Sequence, residues 1–230
     1  MIYFENRQIV TPGELLAEGD YSAGSNTYKS GNRIYASRLG LVEQQGKTVH
    51  VIALNSVYIP SPGDQVIGRI EDINVNGWVV DINSPYKALL RVVDAINKPF
   101  RQQKDDLTIF LDVGDLILAK VLAFDRTMDP LLTIREPGLG KITQGQIVKV
   151  SPAKIPRIIG RRASMINLLK RETECKITVG QNGIILISGP TPEHEKLAIL
   201  AIEKIAQEAH TSGLTDRIAE MIRREKMVKA

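Results

Sequence analysis

The sequence has few cysteine, histidine and aromatic residues. Its 230 residues include one cysteine, Cys175, one tryptophan and three histidines, and aromatic side chains make up 5% of the chain. A single cysteine cannot form an internal disulfide, so we expect a reducing, cytoplasmic location. The three histidines, His50, His194 and His210, contain no pair at metal-ligand spacing. We therefore expect neither a metal nor a cofactor.

Long apolar segments and catalytic signatures are also missing. No apolar run approaches the roughly 20 residues that cross a bilayer. The segment Met1–Val10 carries Glu5 and Arg7 where a signal peptide has its apolar core. There is no phosphate-binding glycine loop, nucleophile elbow or cysteine cluster. We expect a protein without a membrane segment and without enzymatic activity of its own.

Positive charge is concentrated in one segment. The chain has a net charge of only +4, but residues 141–176 hold nine Lys and Arg against two Asp and Glu. Residues 61–140 hold nine against twelve and are net acidic. Such a concentration is typical of a phosphate-binding surface. A solvated basic face explains the charge equally well.

The basic segment contains the pattern Ile158-Ile159-Gly160-Arg161-Arg162. It resembles the I-I-G-x-x-G loop of KH domains, which clamp single-stranded nucleic acid. Ala163 stands where that pattern has its second glycine, and a positive φ there would cost on the order of 1 kcal/mol. Ser164 is the expected N-cap of the following helix. The predicted RNA contacts of this loop are Lys154, Arg157, Gly160, Arg161 and Arg162.

The elements around this loop have the order β-α-α-β-β-α of eukaryotic and archaeal (type I) KH domains. Gln181-Asn182-Gly183 is interpreted as a type I′ turn that links two strands and need not touch RNA. An amphipathic helix from Leu214 packs on this domain or on a partner, with a basic nucleic-acid arm as the alternative. The expected strands are Gln146–Val150, Cys175–Val179 and Ile184–Ser188, and the expected helices are Ile155–Ile159, Ser164–Thr173 and a long helix capped by Thr191.

Five strand-like runs precede the basic segment: Val66–Asn74, Trp78–Asn83, Ala88–Asp94, Leu116–Asp125 and Leu131–Glu136. Five short strands favour an OB-type barrel, and the segment is similar to the RNA-binding barrels named after ribosomal protein S-one. Such barrels bind single strands with aromatic and basic side chains. The candidate contacts are Trp78, Arg69, Lys87, Arg91 and Arg126.

Two parts of this barrel have an alternative interpretation. Trp78 is either a stacking platform for a base or part of the barrel core. The run from Ala95 to Gly114 is interpreted as a solvated insertion between the third and fourth strands, and the alternative is a hard-cation site on its clustered aspartates, although these lack calcium-loop spacing.

The whole chain is expected to be multidomain, mainly β followed by α+β. Closely spaced turns around Arg33–Ala36 and Thr48–Leu54 favour a small β domain at the start. The predicted boundaries are an N-terminal β domain over 1–60, the barrel over 61–138, the KH domain over 141–211 and a helical tail over 212–230.

Three domains in this order resemble the RNA-binding cap subunits of the archaeal exosome, of the Rrp-four type. The segments that carry the resemblance are Val10–Leu16, Tyr58–Gly68, Ile82–Tyr86, Ile155–Gly160 and Val179–Gly183. The resemblance implies that three non-catalytic cap subunits sit on a hexameric ring of RNase PH-like subunits. Such caps bind RNA, favour adenine-rich tails and steer the strand into the pore for 3′-to-5′ phosphorolysis. Their N-terminal domain contacts the ring.

Two other interpretations stay open at this point. The chain could be a stand-alone RNA-binding regulator built from OB and KH modules. It could also be a structural ring clamp whose KH loop no longer touches RNA, because Ala163 replaces a glycine of the loop pattern.

Overall fold

The chain divides into two units, Met1–Ser56 and Val57–Ala230. The structure is a computed structural model, and it describes residues 1–54, 57–96, 106–125, 127–209 and 213–229.

The first unit is the expected small β domain. Its strands form two sheets, with the orders β1-β6-β7-β3 and β2-β5-β4. Alternate residues of the longer strands are buried, because successive side chains in a strand point to opposite faces. The strands are β1 Ile9–Val10, β2 Leu15–Glu18, β3 Ser22–Ala23, β4 Thr27–Ser30, β5 Arg33–Ala36, β6 Gly40–Gln45 and β7 Thr48–Ala53.

The second unit begins with a closed barrel of five strands, which confirms the predicted OB architecture. The strand order is β12-β10-β9-β8-β11, and pairing of β11 with β12 closes the barrel. A two-residue turn, Val75-Asn76, joins β8 and β9, because Asn74 already pairs with Gly77. The strands are β8 Gln65–Asn74, β9 Gly77–Asp81, β10 Ala88–Arg91, β11 Leu116–Asp125 and β12 Met128–Thr133; the short helix α1 Val92–Ala95 follows β10.

The insertion before β11 closes one end of the barrel core. A 3-10 turn over Leu107–Ile109 places Leu107 and Leu111 among the buried core residues. The interpretation as a wholly solvated insertion is therefore wrong for this part, since these two side chains are 8% and 3% exposed. Residues 97–105 of the insertion lie outside the described residues.

The KH part has the predicted element order and an antiparallel sheet with the order β14-β16-β15. The last helix packs on this domain as expected, because Leu214, Ile218 and Ile222 are buried in its core. The elements are β14 Gln146–Lys149, α2 Ile155–Ile159, α3 Ser164–Thr173, β15 Lys176–Val179, β16 Ile184–Ser188, α4 Pro192–Gln207 and α5 Leu214–Lys229.

The remaining strand, β13 Gly140–Ile142, joins the barrel to the KH part. It pairs with β11 and so extends the barrel sheet. A small apolar cluster of Ile67, Leu118 and Ile184 also brings barrel and KH residues together. The connection is thus built into a sheet and flanked by packed side chains.

The turn between β15 and β16 locks the two parts together. Asn182 is fully buried, and its side-chain amide donates hydrogen bonds to the carbonyl oxygens of Ile67 (2.7 Å) and Ile82 (2.8 Å) in the barrel. In return, Asn83 donates to the carbonyl oxygen of Asn182 at 2.9 Å. The Gln181 N–H donates to the carbonyl oxygen of Gln65 at 2.8 Å. We call this set of contacts the Asn182 clamp.

The backbone of this turn corrects the expected turn type. The turn is not of type I′, because φ is positive only at Gly183 and not at Gln181 or Asn182. A glycine in the left-handed region ends a three-residue hairpin loop of a different kind. The turn also does more than join two strands, since its side chain satisfies barrel carbonyls.

Candidate nucleic-acid interface

The KH loop forms where α2 ends at a glycine with a left-handed backbone. Gly160 has φ 75° and ψ 170°, and a Cβ there would lie 2.8 Å from the backbone nitrogen of Met165. Only glycine fits this position, because its lack of a Cβ allows both the conformation and the close approach. Arg161 and Arg162 follow on an exposed turn. The backbone conformation of Gly160 therefore determines the position from which the side chains of Arg161 and Arg162 extend.

The other two predicted cations of the loop, Arg157 and Lys154, precede Gly160 in the sequence. Arg157 is exposed on α2, and Lys154 is partly exposed at the end of a 3-10 turn over Pro152–Lys154. The structure thus brings all five predicted KH residues into one helix–turn–helix segment. The N-cap residue of α3 is Ala163, whose methyl side chain cannot accept a hydrogen bond from the first turn. The backbone N–H groups of this turn, with the positive end of the helix dipole, are suited to a phosphate oxygen.

The start of α3 differs from the expectation by one residue. Ser164 has helical angles, φ −61° and ψ −43°, so it is the first residue of the helix and not its N-cap. Ala163 takes the cap position with φ 60° and ψ 21°. The preceding Arg162 is also left-handed, with φ 51°. Alanine therefore occupies a backbone conformation that favours glycine.

Replacing Ala163 with glycine is expected to raise the free energy of unfolding by about 1 kcal/mol, because glycine adopts this conformation without Cβ strain. Urea denaturation measures the change. Ala153→Gly in the nearby 3-10 turn, where φ is not positive, is the control and is expected to lose stability. A loss of stability in Ala163→Gly would contradict a strained alanine.

Three of the predicted barrel cations, Arg69, Lys87 and Arg91, are exposed but have acidic neighbours. Lys87 forms an ion pair with Glu71, whose hydrogen bond raises the pKa of the lysine. Arg91 contacts Asp94 at 2.6 Å. Arg69 lies opposite Asp81 in the β8–β9 register. Both ion pairs are on the surface, where such pairs contribute little and exchange readily. A phosphate can compete for these cations, although the carboxylates weaken its binding.

Two predicted barrel residues need separate comment. Trp78 is 1% exposed, and its indole N–H donates to the carbonyl oxygen of Leu111 at 2.8 Å. The prediction of a stacking platform is therefore wrong, because the insertion residues Leu107 and Leu111 pack over this end of the core. Arg126 lies outside the described residues.

The described part of the chain contains neither a metal-ligand cluster nor a membrane-spanning helix. Across those residues, no group of three or more His, Cys, Asp or Glu side chains is placed to hold an ion. None of their helices combines the length and apolar character that a bilayer span requires. Cys175 is buried, and this burial raises the pKa of its thiol.

Sequence comparisons cover all three parts of the chain. The family described as the exosome RNA binding protein RRP4 N-terminal domain matches residues 7–55, the RRP4 S1 domain matches residues 57–123, and the KH domain matches residues 145–204.

Whole-chain relatives agree with these domain matches. Exosome complex component Rrp4 of Pyrococcus furiosus is 46% identical over 223 residues, which is 96% of this chain and 84% of the relative. The component of the same name in Thermofilum pendens is 44% identical over 224 residues, 96% of this chain and 94% of the relative.

A solved structure supports the same assignment. This crystal structure, described as a candidate exosome complex RNA-binding protein, is 48% identical with a TM-score of 0.72 and covers 76% of this chain and 100% of its own. The chain therefore belongs to the Rrp4 family of exosome complex components, and its barrel and KH fold are the RNA-binding S1 and KH domains of that family.

Proposed function

We propose that this chain is a non-catalytic subunit that caps the RNase PH-like ring of an exosome. It recruits RNA, favours adenine-rich tails and steers the strand into the pore for 3′-to-5′ phosphorolytic degradation. The observation that carries the proposal is the loop of Arg161 and Arg162, exposed at the uncapped start of α3. The family membership supports the ring as the partner.

The domains have different roles in this proposal. The N-terminal β domain contacts the ring, and three copies of the chain sit on one hexamer in the cytoplasm. The S1 and KH domains contact RNA as one block, because the Asn182 clamp fixes the KH turn to the barrel. The degradation itself belongs to the ring.

The geometry of the KH loop supports the proposed phosphate contact. Gly160 allows the positive φ of the turn and its close approach to Met165, so Arg161 and Arg162 lie directly before the first backbone N–H groups of α3. The two arginines supply planar donors that suit phosphate oxygens. Residues 141–176 carry the surplus positive charge of the chain, so the surrounding field favours a polyanion.

Reversing the loop charge tests the RNA contact. The double variant Arg161→Glu with Arg162→Glu is expected to weaken binding of single-stranded RNA and to reduce the slope of log K against log salt by about 1.4, because each lost contact contributes about 0.7 on a single strand. The measurement is a salt titration of RNA affinity by fluorescence anisotropy.

The matched control reverses two exposed cations outside the loop, with Arg38→Glu and Lys196→Glu. It is expected to leave the slope nearly unchanged. Equal slopes for the wild type and the loop variant would contradict a phosphate contact at Arg161 and Arg162.

One observation favours the structural ring clamp as a second candidate. The left-handed Ala163 places a methyl group where the KH pattern has a glycine. If the loop variant binds RNA as the wild type does while the chain still co-purifies with RNase PH-like subunits, the ring clamp is the better description.

Mass measurement of the native complex tests the ring contact and the number of copies. A chain recovered without such subunits would instead favour a stand-alone RNA-binding regulator.

A further inference from the structure

The sequence contains two Asn–Gly pairs, Asn76-Gly77 and Asn182-Gly183, and the structure places them in opposite surroundings. Asn76 is exposed in the turn between β8 and β9, whereas Asn182 is fully buried in the Asn182 clamp. Asparagine before glycine readily loses its side-chain amide, because glycine has no side chain to shield its backbone nitrogen. The chain therefore carries one such pair in contact with water and a second one in its interior.

The reaction at such a pair uses only the two residues and water. The backbone nitrogen of Gly77 attacks the side-chain carbonyl carbon of Asn76, so a C–N bond forms and the side-chain amide leaves as ammonia with the proton of the attacking nitrogen. The product is a succinimide ring. Water then opens the ring at either carbonyl carbon, which gives aspartate or isoaspartate. Both products carry a carboxylate where the side chain was neutral.

The position of the β8–β9 turn favours this attack. Gly77 is the first residue of β9, and its pairing with Asn74 is the last pair between the two strands. Pairs at the end of a hairpin open at a lower free energy than the core of a domain. Asn76 is exposed to the solvent that supplies the water of the second step. Ring closure therefore requires local opening of one turn and not unfolding of the barrel.

Packing of the barrel fixes the glycine of this pair. A Cβ at Gly77 would overlap the carbonyl oxygen of Leu90 and lie 2.9 Å from the Cα of Arg91, and φ of Gly77 is 149°. Only glycine fits this position. The carbonyl oxygen of Asn76 accepts a hydrogen bond from the Val92 N–H at 3.1 Å, and any residue can supply this carbonyl. The fold therefore requires Gly77 but tolerates a change at Asn76.

The same pair in the Asn182 clamp is held away from the reaction. The side-chain nitrogen that would have to leave donates to the carbonyl oxygens of Ile67 and Ile82. The N–H of Gly183, which would have to attack, donates to the carbonyl oxygen of Gly180 at 3.2 Å. Both reacting groups of Asn182-Gly183 are thus engaged, so this pair reacts only when the clamp opens.

Conversion of Asn76 changes this end of the barrel in two ways. The new carboxylate joins Arg91 in the lining of one surface recess, so the local positive charge falls. Isoaspartate also adds one carbon to the backbone of the turn. The turn is tied to Val92 by a hydrogen bond and its glycine lies against Leu90, so a longer turn cannot keep both contacts. The altered backbone then adjoins Trp78 in β9.

We propose that Asn76 is a spontaneous modification site, at which ring closure with Gly77 installs aspartate or isoaspartate beside Arg91. The modified fraction rises with the age of the folded protein, and isoaspartate destabilises this end of the barrel. The chemistry is independent of RNA binding, whereas a loss of RNA affinity through Arg91 rests on the function proposed above.

Storage of the folded full chain at mildly alkaline pH, below its unfolding temperature, tests the site by mass spectrometry of its peptides. The peptide with Asn76 is expected to show the mass increase of an amide-to-acid conversion, and an isoaspartate-specific methyltransferase with a labelled methyl donor is expected to label it. Asn182 is expected to react on the order of 100-fold more slowly, because the clamp hydrogen bonds must break first. In urea both pairs are expected to react at similar rates.

Asn76→Gln is the matched variant, because glutamine keeps the amide but its longer side chain closes a ring far more slowly. The variant is expected to lose the methyl label in this peptide and to keep its thermal midpoint on storage. The stored wild type is expected to lose midpoint as isoaspartate accumulates. Equal modification of Asn76 and Asn182 in the folded chain, or an unmodified Asn76 under conditions that convert the unfolded chain, would overturn the proposal.

Asn76→Asp separates the new charge from the longer backbone. Its affinity for single-stranded RNA is expected to fall by about 2-fold, as a surface charge beside Arg91 predicts. Unchanged affinity would overturn the effect on RNA, while the mass measurement decides the modification itself. A freshly purified wild-type chain that binds no RNA would overturn the proposed function and leave the chemistry at Asn76 as it is.

Discussion

Asn182→Ala is expected to lower the free energy of unfolding by about 3 kcal/mol or more, because each buried group left without a partner costs on the order of 1–3 kcal/mol. Alanine removes the amide that donates to the carbonyl oxygens of Ile67 and Ile82. It also removes an acceptor near the backbone N–H of Ile67, at 3.4 Å. These groups lie between the barrel and the KH turn, where Asn182 is fully buried. The variant should therefore lose coupling between the domains as well as stability.

Two spectroscopic signals follow the two domains separately. The single tryptophan, Trp78, reports on the barrel, while the α2–α5 helices dominate the far-ultraviolet circular dichroism and belong to the KH part. In the wild type, urea transitions by both signals are expected to coincide. In Asn182→Ala they are expected to separate. Gln181→Ala is the control, because its side chain is exposed and its clamp contact comes from the backbone. Coincident transitions at wild-type stability would contradict the clamp.

Trp78→Ala is expected to cost about 3–5 kcal/mol of stability, the range for emptying a buried tryptophan site. Trp78 is among the largest fully buried side chains, and its loss opens a cavity beneath Leu107 and Leu111. It also leaves the Leu111 carbonyl oxygen without its donor. Any loss of RNA affinity in this variant would then reflect a damaged barrel and not a missing stacking contact.

Trp78→Phe separates the two roles. Phenylalanine keeps most of the apolar volume and an aromatic face, so it is expected to lose only about 1–3 kcal/mol with the hydrogen bond to Leu111. Thermal unfolding by circular dichroism measures both variants, and RNA affinity is compared well below the lower midpoint. A folded Trp78→Phe protein with strongly reduced RNA affinity would contradict the core assignment.

The fold was predictable because each element has a local signal. Apolar residues in α4 recur at helical spacing, and Ala198, Ala201, Ile202 and Ile205 are buried together with Leu197. Alternating strands and turn residues likewise predicted the barrel. The glycine of the KH loop was recognisable from its neighbours Ile158 and Ile159. These features depend on nearby residues, which the sequence displays directly.

Asn182 and Trp78 were misread because their partners lie far away in the chain. Asn182 meets Ile67 from 115 positions away, and Trp78 meets Leu111 from 33 positions away. No local pattern distinguishes a turn asparagine exposed to water from one that is buried. The ring contact between Tyr86 and Phe124, with centroids 4.9 Å apart, is hidden for the same reason, because Tyr86 lies in the loop before β10 and Phe124 on β11. The sequence shows the predicted cations, but it does not show which acidic residues pair with them.

The strand β13 gives the S1 and KH domains a fixed spacing on any ligand that both hold. A flexible linker would let each domain search separately, and joining them on one strand would cost linker entropy. Here the connection is a strand paired with β11, so the entropy of ordering it is already lost when the protein folds. The second contact forms at a high effective concentration, but only on a strand long enough to reach both domains. We therefore expect the affinity for RNA to rise once the strand exceeds a threshold length, so that binding selects strands by their length.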